Sequence, residues 1–238
     1  MTEREVASLR RDYTRSRQSC TVDSNDVTRQ WAERSGEYSP AYYAYYGPDE
    51  TSERIRETLD RFVGRDASVL ELGCSSGRHL SHLYEHGFED VAGVDVNDEA
   101  FDVMEEHYPD LAAAGTFYRD AIESVVEEFD DGAFDAVYSV ETLQHVHPDA
   151  AWVFEEIARI ADDLLVTVEN EGGVDSAASG ASGDAGVQSP DPEVNYVDEG
   201  VPLYYRNWNR VFTRFDFAEV ERRVGERDTF RAFRATRN

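Results

Sequence analysis

Lysine is absent from this chain of 238 residues, and all 23 of its basic residues are arginines. Without lysine the protein cannot form a Schiff base with a carbonyl substrate or build a Walker A phosphate-binding loop. It also cannot carry the Tyr–Lys pair of the short-chain dehydrogenases. Several classes of nucleotide-using enzyme are therefore excluded before any motif is considered.

Cysteine and long apolar runs are also scarce. The two cysteines, Cys20 and Cys74, predict no disulfide framework. No apolar run approaches the roughly 20 residues that a membrane helix needs, and the charged N-terminal stretch does not resemble a signal peptide. The length fits one domain with accessory parts. We therefore expect a cytoplasmic protein with no membrane attachment.

Acidic residues dominate the charge of the chain. There are 50 acidic against 23 basic residues, which gives a net charge of -27. This balance, with no lysine at all, is typical of halophiles with molar salt in the cytosol, where the Debye length is about 3 Å and self-repulsion is screened. No group of arginines resembles a phosphate-binding stripe, so we expect no nucleic-acid partner.

The most informative segment is SVLELGCSSGRHLSHL, residues 68–83. An apolar run that contains Glu71 ends at Gly73, a small polar turn leads to Gly77, and a helical pattern follows. A strand, a tight turn and a helix in this order bring a nucleotide-like ligand against exposed backbone N–H groups. Glycine lets the backbone approach such a ligand closely, and the carboxylate of Glu71 suits a ligand with a cationic end.

Three further segments follow in order. VAGVDVND (91–98) ends a strand at Asp95, TFYRDAIES (116–124) ends one at Asp120, and FDAVYSVETLQHV (134–146) is a strand with its following loop. The predicted strands are 68–72, 91–95, 116–119, 135–139 and 163–168, and the predicted helices are 78–86, 98–107, 120–128 and 149–161. This alternation indicates a parallel sheet covered on both faces.

The four segments together resemble the class I S-adenosylmethionine-dependent methyltransferases over about residues 55–170. The usual first motif is an acid followed by Gly-x-Gly-x-Gly, and here Ser75 replaces the middle glycine. The resemblance implies an α/β fold that is Rossmann-like and doubly wound, with a mostly parallel sheet of about seven strands, or six, and helices on both faces. An NAD-dependent dehydrogenase fits less well, because Arg78 stands where its third glycine is needed.

The resemblance also implies the cofactor, S-adenosyl-L-methionine, and the residues that hold it. In the family, the acid at Asp95 binds the two ribose hydroxyls, the acid at Asp120 accepts from the adenine amino group, and the next residue, Ala121, offers its backbone N–H. From the residues alone, Asp120 could instead cap a helix and Glu71 could pair with an arginine. The expected cofactor-binding residues are Glu71, Gly73, Ser75, Gly77, Asp95, Val96, Asp120, Ala121 and Ser139.

The loop after the fourth predicted strand is expected to face the acceptor. His145 is the candidate catalytic base, although a structural role is the alternative, and Glu141 and Gln144 are candidate polar lining. We expect methyl transfer to a small-molecule acceptor. The alternatives are an RNA or protein methyltransferase, or a non-catalytic cofactor-binding module. Nothing in the sequence fixes the oligomeric state.

The remaining parts are assigned more coarsely. Residues 1–50 are expected to form an accessory or lid segment, and residues 51–238 the methyltransferase domain. The tyrosines of SPAYYAYYGPDE (39–50) could pack in a core or cover the cofactor. A flexible insertion is expected at about 172–202, a late helix at 210–224 and a closing strand at 229–237.

A helical face of histidines raises the question of a metal. His79, His82 and His86 lie on one side of the predicted helix 78–86, with Cys74 nearby. That spacing would allow a metal site. No HExxH pattern or second nearby cysteine accompanies it, so no metal is expected.

The charge balance generates a prediction about salt. We expect the fold to need high salt, because dilution from 1 M to 0.1 M lengthens the Debye length from about 3 Å to about 10 Å and lets neighbouring carboxylates repel one another. Circular dichroism melting at these two KCl concentrations measures the effect. A thermal midpoint that does not change between them would contradict halophilic adaptation.

Overall fold

The computed structural model describes residues 23–172, 192–197 and 200–237. Its α-helices are α1 (Ser24–Ala32), α2 (Pro40–Tyr46), α3 (Glu50–Phe62), α4 (Arg78–Glu85), α5 (Glu99–His107), α6 (Pro109–Ala114), α7 (Ile122–Val125), α8 (Val153–Ile160) and α9 (Trp208–Phe212). Its strands are β1 (Val69–Leu72), β2 (Val91–Asp95), β3 (Thr116–Arg119), β4 (Phe134–Val140), β5 (Ala161–Glu169), β6 (Glu193–Val197), β7 (Val201–Tyr205), β8 (Phe217–Val224) and β9 (Thr229–Ala235). Cys20 and most of the predicted flexible insertion lie outside the described residues.

Seven of these strands form one sheet in the order β3-β2-β1-β4-β5-β9-β8. Strands β1 to β5 run parallel to one another, and β9 runs antiparallel to both of its neighbours. The predicted Rossmann-like, mostly parallel sheet is therefore confirmed, with seven strands. Strands β6 and β7 form a separate antiparallel hairpin.

Helices cover both faces of the sheet. Successive residues of a strand point to opposite sides, so each strand contributes side chains to a core on both faces. In β1, Val69 packs into a cluster that also contains residues of α3, α4 and α5. Leu70 and Leu72 pack into the opposite cluster, which contains residues of α7, α8 and α9. All three side chains are fully buried. The central strands are thus held rigidly, and only their ends can carry a site.

The predicted late helix over 210–224 is wrong, because this stretch consists of α9 followed by the edge strand β8. Its apolar residues recur at helical spacing, but β8 leaves Val220 exposed. At the neighbouring position Glu219 forms an ion pair with Arg231, which is buried in β9. Glu219 thus occupies an inward-facing position of β8, where an alternating strand pattern would have an apolar residue. The sequence left open whether a second late strand exists and placed it near 203–212 if so; the additional strand of the sheet is instead β8.

Two other boundaries differ from the prediction. The insertion was expected to be flexible as far as about residue 202, but strands β6 and β7 occupy Glu193–Val197 and Val201–Tyr205. The helix predicted at 120–128 is only one turn, α7, followed by a 3-10 turn at Val126–Glu128. No helix among the described residues is both long and apolar enough to cross a membrane.

Candidate functional site

The candidate site is a cleft at the carboxyl ends of the central parallel strands. The chain leaves β1 towards β2 on one side, while β4 pairs with β1 on the other, so a crevice opens where the strand order reverses. The cleft measures about 1070 Å³ when the space open to solvent is included. It is lined by the turn after β1, the ends of β2 and β3, the loop after β4, and residues of α1 and α2.

The turn between β1 and α4 has three residues with positive φ. Gly73 has φ 73°, Ser75 49° and Gly77 79°. A side chain on Gly73 would place a Cβ 2.2 Å from Thr142 Oγ1, and one on Gly77 would place a Cβ 2.8 Å from Met104 Cε. Gly73 lines the cleft but Gly77 does not. The glycines are therefore required by backbone conformation and by packing against the protein, and not only by ligand approach as the sequence suggested.

Asp95 lies at the end of β2 and faces the turn. Its Oδ2 accepts the backbone N–H of Ser75 at 2.7 Å, and its Oδ1 accepts that of Asn97 at 2.8 Å. Burial raises the pKa of Asp95, although the backbone N–H groups of Asn97, Ser75 and Val96 act against this shift. These two bonds fix the orientation of the carboxylate and leave a lone pair on each oxygen. Two neighbouring hydroxyl donors, such as those of a ribose, fit that arrangement.

The carboxyl of Glu71 is almost completely buried at the base of the cleft, which it helps to line. Its Oε2 accepts a hydrogen bond from the hydroxyl of Tyr138 at 2.9 Å. Burial raises the pKa of Glu71 well above its usual value, while the Tyr138 hydroxyl and the nearby charge of Arg78 lower it. A cationic ligand in the cleft would stabilise the ionised form. The described residues show no direct ion pair between Glu71 and an arginine.

Asp120, Ala121 and Val96 line the cleft beside Asp95. The carboxylate of Asp120 accepts the backbone N–H of Ala121 at 2.7 Å. The amide that the family would offer to adenine is therefore engaged with its neighbour and has to be released for that role. Asp120 does not cap α7, whose N-cap residue is Ala121 with no side-chain bond.

His145 lies in the loop after β4, with 8% of its surface exposed, and lines the cleft. Its Nδ1 is 2.9 Å from the carbonyl oxygen of Pro202, so Nδ1 carries the proton and Nε2 carries a lone pair. Its ring lies 4.7 Å from that of Trp31. Burial lowers the pKa of His145 to about 4, and the charges of Arg227 and Arg206 act in the same direction. The imidazole is therefore neutral at pH 7.

Glu169, at the end of β5, is a buried residue that the sequence interpretation missed. Its carboxylate accepts hydrogen bonds from the Ser139 hydroxyl at 2.7 Å and from the backbone N–H groups of Thr142, Leu143 and Gln144 at 3.3, 3.1 and 3.2 Å. Burial raises the pKa of Glu169 to about 7, against the effect of these donors. Glu169 thus fixes the loop that carries His145. Its only signal in the sequence is an acid that ends an apolar strand.

Two predicted site residues are directed away from the cleft. The Ser139 hydroxyl is buried against Glu169, so it does not face the cofactor side as expected. The side-chain oxygen of Gln144 accepts the backbone N–H of Asn170 at 2.7 Å, so Gln144 does not line the cleft either. Both side chains satisfy the buried polar groups around Glu169, which is a structural role.

Glu141 does line the cleft, as the sequence suggested. It has φ 52°, an uncommon conformation for a residue with a side chain, and forms an ion pair with Arg227. Next to this pair, burial and the charge of Glu141 raise the pKa of Asp228 to about 7. Strained backbone of this kind persists where the surrounding structure enforces it, often at functional sites.

The N-terminal accessory segment forms one wall of the cleft through Trp31, Arg34, Tyr38 and Tyr43. The indole Nε1 of Trp31 is buried and has no hydrogen-bond partner among the described residues. Among the clustered tyrosines only Tyr43 reaches the cleft. Tyr45 and Tyr46 are mostly exposed, which contradicts the expectation that the whole cluster covers the site or packs in a core.

Asn97 holds this wall in place. Its side-chain amide donates to the carbonyl oxygens of Trp31 and Arg34, both at 3.1 Å. Its own backbone N–H donates to Asp95. The accessory segment is therefore connected directly to the residue that faces the expected ribose. Sequence spacing gives no signal for this connection, because the partners are more than 60 positions apart.

Comparison with known sequences agrees with this geometry. Residues 69–163 match a family described as "Methyltransferase domain". The chain is 25% identical over 111 residues to the O-methyltransferase cnsE of Penicillium expansum, a match that covers 44% of this chain and 40% of that relative. The chain therefore spans less than half the length of this curated relative.

Comparison with solved structures agrees as well. The 1,6-didemethyltoxoflavin-N1-methyltransferase of Burkholderia thailandensis, solved with bound 1,6-didemethyltoxoflavin and S-adenosylhomocysteine, superposes with a TM-score of 0.57 at 17% identity, covering 100% of this chain and 92% of that one. The magnesium protoporphyrin IX methyltransferase of Synechocystis PCC 6803, solved with S-adenosylhomocysteine, superposes with a TM-score of 0.58 at 13% identity, covering 96% and 99%.

Residues 69–163 match the methyltransferase-domain family, and the chain shares its fold with methyltransferases that were solved with S-adenosylhomocysteine. The resemblance inferred from the four sequence segments is thereby confirmed. The structural likeness is of low sequence identity and therefore concerns the fold, not the acceptor.

The positive φ of Ser75 generates a prediction about stability. Ser75→Val should lower the free energy of unfolding by about 1–3 kcal/mol, because a β-branched residue is strained in this conformation. Ser75→Gly should cause no loss, because glycine adopts positive φ without steric cost. Urea unfolding of the parent and both variants, all at the same molar concentration of KCl, measures the difference. A Val variant as stable as the parent would mean that residue 75 does not adopt positive φ.

Proposed function

We propose that this protein is an S-adenosylmethionine-dependent methyltransferase that transfers the methyl group to a small-molecule acceptor. The observation that carries the proposal is that a single cleft is lined by both halves of such a site. One half is the turn after β1 with Asp95. The other half is the wall formed by His145, Glu141 and the aromatic residues of the N-terminal segment.

The cofactor half of the proposal rests on four residues. Asp95 would accept hydrogen bonds from both ribose hydroxyls, through the lone pair that remains on each oxygen. Val96 and Ala121 lie beside it, where an adenine ring would pack. Glu71 would offer a negative charge to the cationic end of the ligand. When bound, S-adenosylmethionine supplies an electrophilic methyl group on a sulfonium.

The acceptor half depends on the tautomer of His145. Because Nδ1 donates to the Pro202 carbonyl, Nε2 carries the lone pair, which lies 3.4 Å from the side-chain amide nitrogen of Gln144. Once that long contact is given up, Nε2 could take the proton that an acceptor hydroxyl releases as its oxygen forms the new bond to carbon. The lowered pKa keeps the imidazole in its neutral form. It also makes His145 a weak base, so much of the rate enhancement would come from positioning the reactants.

A small, partly aromatic acceptor suits the N-terminal part of this wall. The rings of Trp31, Tyr38 and Tyr43 line that side and can pack against a flat molecule. The Trp31 indole N–H can donate to an acceptor oxygen. We propose that residues 23–46 act as the cover of the site, with Tyr43 as its contact to the ligand. This replaces the broader tyrosine lid expected from the sequence.

The composition supports one more element of the proposal. A net charge of -27 without lysine fits a protein that works in the salt-rich cytoplasm of a halophile.

The cofactor assignment is tested by substitution of Asp95. Asp95→Ala should weaken binding of S-adenosylhomocysteine at least tenfold, because each hydrogen bond to a charged group is worth about 1.5–3 kcal/mol. Isothermal titration calorimetry measures the affinity. Asp98→Ala is the matched control, since Asp98 is exposed nearby and its side chain caps no helix.

Equal affinity in the parent and Asp95→Ala would reject the cofactor site. Circular dichroism of each variant shows whether the overall fold is retained. Asp95→Asn keeps an acceptor oxygen for one of the two backbone N–H groups and serves as a second, milder variant. It should bind with intermediate affinity.

The protonation state of His145 is open to direct measurement. Nuclear magnetic resonance titration should give a pKa of about 4. Since the pKa is about 6.5 in an unfolded chain, the unfolded state binds more protons between these values. This contribution to stability is complete above about pH 6.5 and is lost as the pH falls towards 4. A measured pKa near 6.5 would show that the ring is open to water and would contradict the proposed geometry.

A further inference from the structure

A second group of chemically reactive side chains lies outside the cleft, between helices α3 and α4. Glu53 of α3, His82 of α4 and His86 at the end of α4 converge there. His82 Nε2 is 2.8 Å from Glu53 Oε2, and the rings of His82 and His86 are 4.2 Å apart. Ligand atoms of the three side chains all lie within 4.8 Å of one another.

The histidines are suitably oriented for coordination. The Nδ1 of His86 is 2.7 Å from the carbonyl oxygen of His82, to which it can only donate. The lone pair of His86 therefore lies on Nε2. Metal-binding histidines usually show this arrangement, with the other ring nitrogen held by a carbonyl or carboxylate. His82 needs its proton on Nδ1, so that Nε2 presents a lone pair where the hydrogen bond to Glu53 now lies.

The carboxylate of Glu53 is ionised, and its hydrogen bonds do not use all the lone pairs of its oxygens. Arg56 donates to both of its oxygens, at 2.8 and 2.7 Å. The bonds to Arg56 and to His82 lower the pKa of Glu53 to about 2. Each carboxylate oxygen has two lone pairs, so Oε1 retains one beside Arg56. Glu53 can therefore provide a third ligand atom without losing its ion pair.

We propose that Glu53, His82 and His86 form a binding site for a divalent transition-metal ion, with Zn²⁺ as the best match. Two imidazoles and one carboxylate suit zinc, and water would fill the remaining position. The grouping of His79 and Cys74 with these histidines, considered from the sequence, does not occur. His79 is buried and bonded to Ser52, and Cys74 is buried in the turn.

Such an ion would join two helices that already share other links. Asp49 forms an ion pair with Arg78, and the Ser52 hydroxyl is hydrogen-bonded to His79, both between the start of α3 and the start of α4. α4 begins directly after the turn that lines the candidate cofactor cleft. Binding to the folded state alone raises its stability in proportion to the logarithm of the metal concentration. The expected consequence is therefore a metal-dependent thermal midpoint, independent of any methyltransferase activity.

The test uses the full chain with Cys20→Ser, so that this cysteine cannot contribute a thiolate. ZnCl₂ at about a hundredfold excess over its dissociation constant should raise the thermal midpoint by about 5–11 °C. CoCl₂ should give the visible absorption bands of a protein-bound ion. His82→Ala and His86→Ala should each remove most of both signals, and Glu53→Gln should weaken them. His107→Ala is the matched control, because His107 is an exposed histidine on a different helix.

A zinc-dependent midpoint that persists unchanged in both histidine variants would overturn the proposal, because the surface carboxylates would then explain it. No shift and no cobalt spectrum in the parent chain would overturn it as well. His86 is exposed, so His86→Ala should fold, and its midpoint without metal shows whether it has done so.

Discussion

The carboxylate of Asp95 connects three parts of the chain that meet at the cleft. Oδ2 holds the turn through the N–H of Ser75, and Oδ1 holds the N–H of Asn97. The side chain of Asn97 in turn holds the carbonyls of Trp31 and Arg34. Because burial raises the pKa of Asp95, its ionised form depends on such donors. The proposed cofactor wall and the proposed acceptor wall are thus not independent. A ligand hydroxyl that donates to Asp95 would stabilise its ionised form. That form also accepts the N–H of Asn97, whose side chain holds residues 31 and 34 of the accessory segment.

The carboxylates of this acidic protein lie in two different environments, the surface and the buried interior. Most of those that the structure describes are at least partly exposed, where added salt screens their repulsion. Glu169 and Glu71 are buried, where screening is weak, and each is stabilised by donors of the protein itself. Glu169 alone receives three backbone N–H groups from the loop that carries His145. Lower salt should therefore affect the surface before it affects the local geometry of the site.

The sequence was most informative where one local pattern determines the structure. Residues 68–83 encode a strand, a turn and a helix in one continuous stretch, and residues 91–98 end a strand at Asp95, so both the fold and the location of Asp95 could be predicted. Prediction failed where partners are distant. The inward position of Glu219 becomes intelligible only through Arg231 on the neighbouring strand, so β8 was mistaken for a helix. Ser139 was assigned to the cofactor because its partner, Glu169, lies 30 residues further along the chain.

The same distinction explains why the cofactor half of the site can be recognised and the acceptor half cannot. The matched family region ends at residue 163, and it contains Asp95, Asp120 and His145. Two of the groups that surround His145 come from outside that region: the ring of Trp31 precedes it, and the carbonyl of Pro202 follows it. Pro202 fixes the tautomer of His145 from a hairpin that the sequence indicated as a flexible loop. The proposed acceptor half therefore depends on segments that pack together only in the folded chain, whereas the residues proposed to hold the cofactor all lie within the matched region.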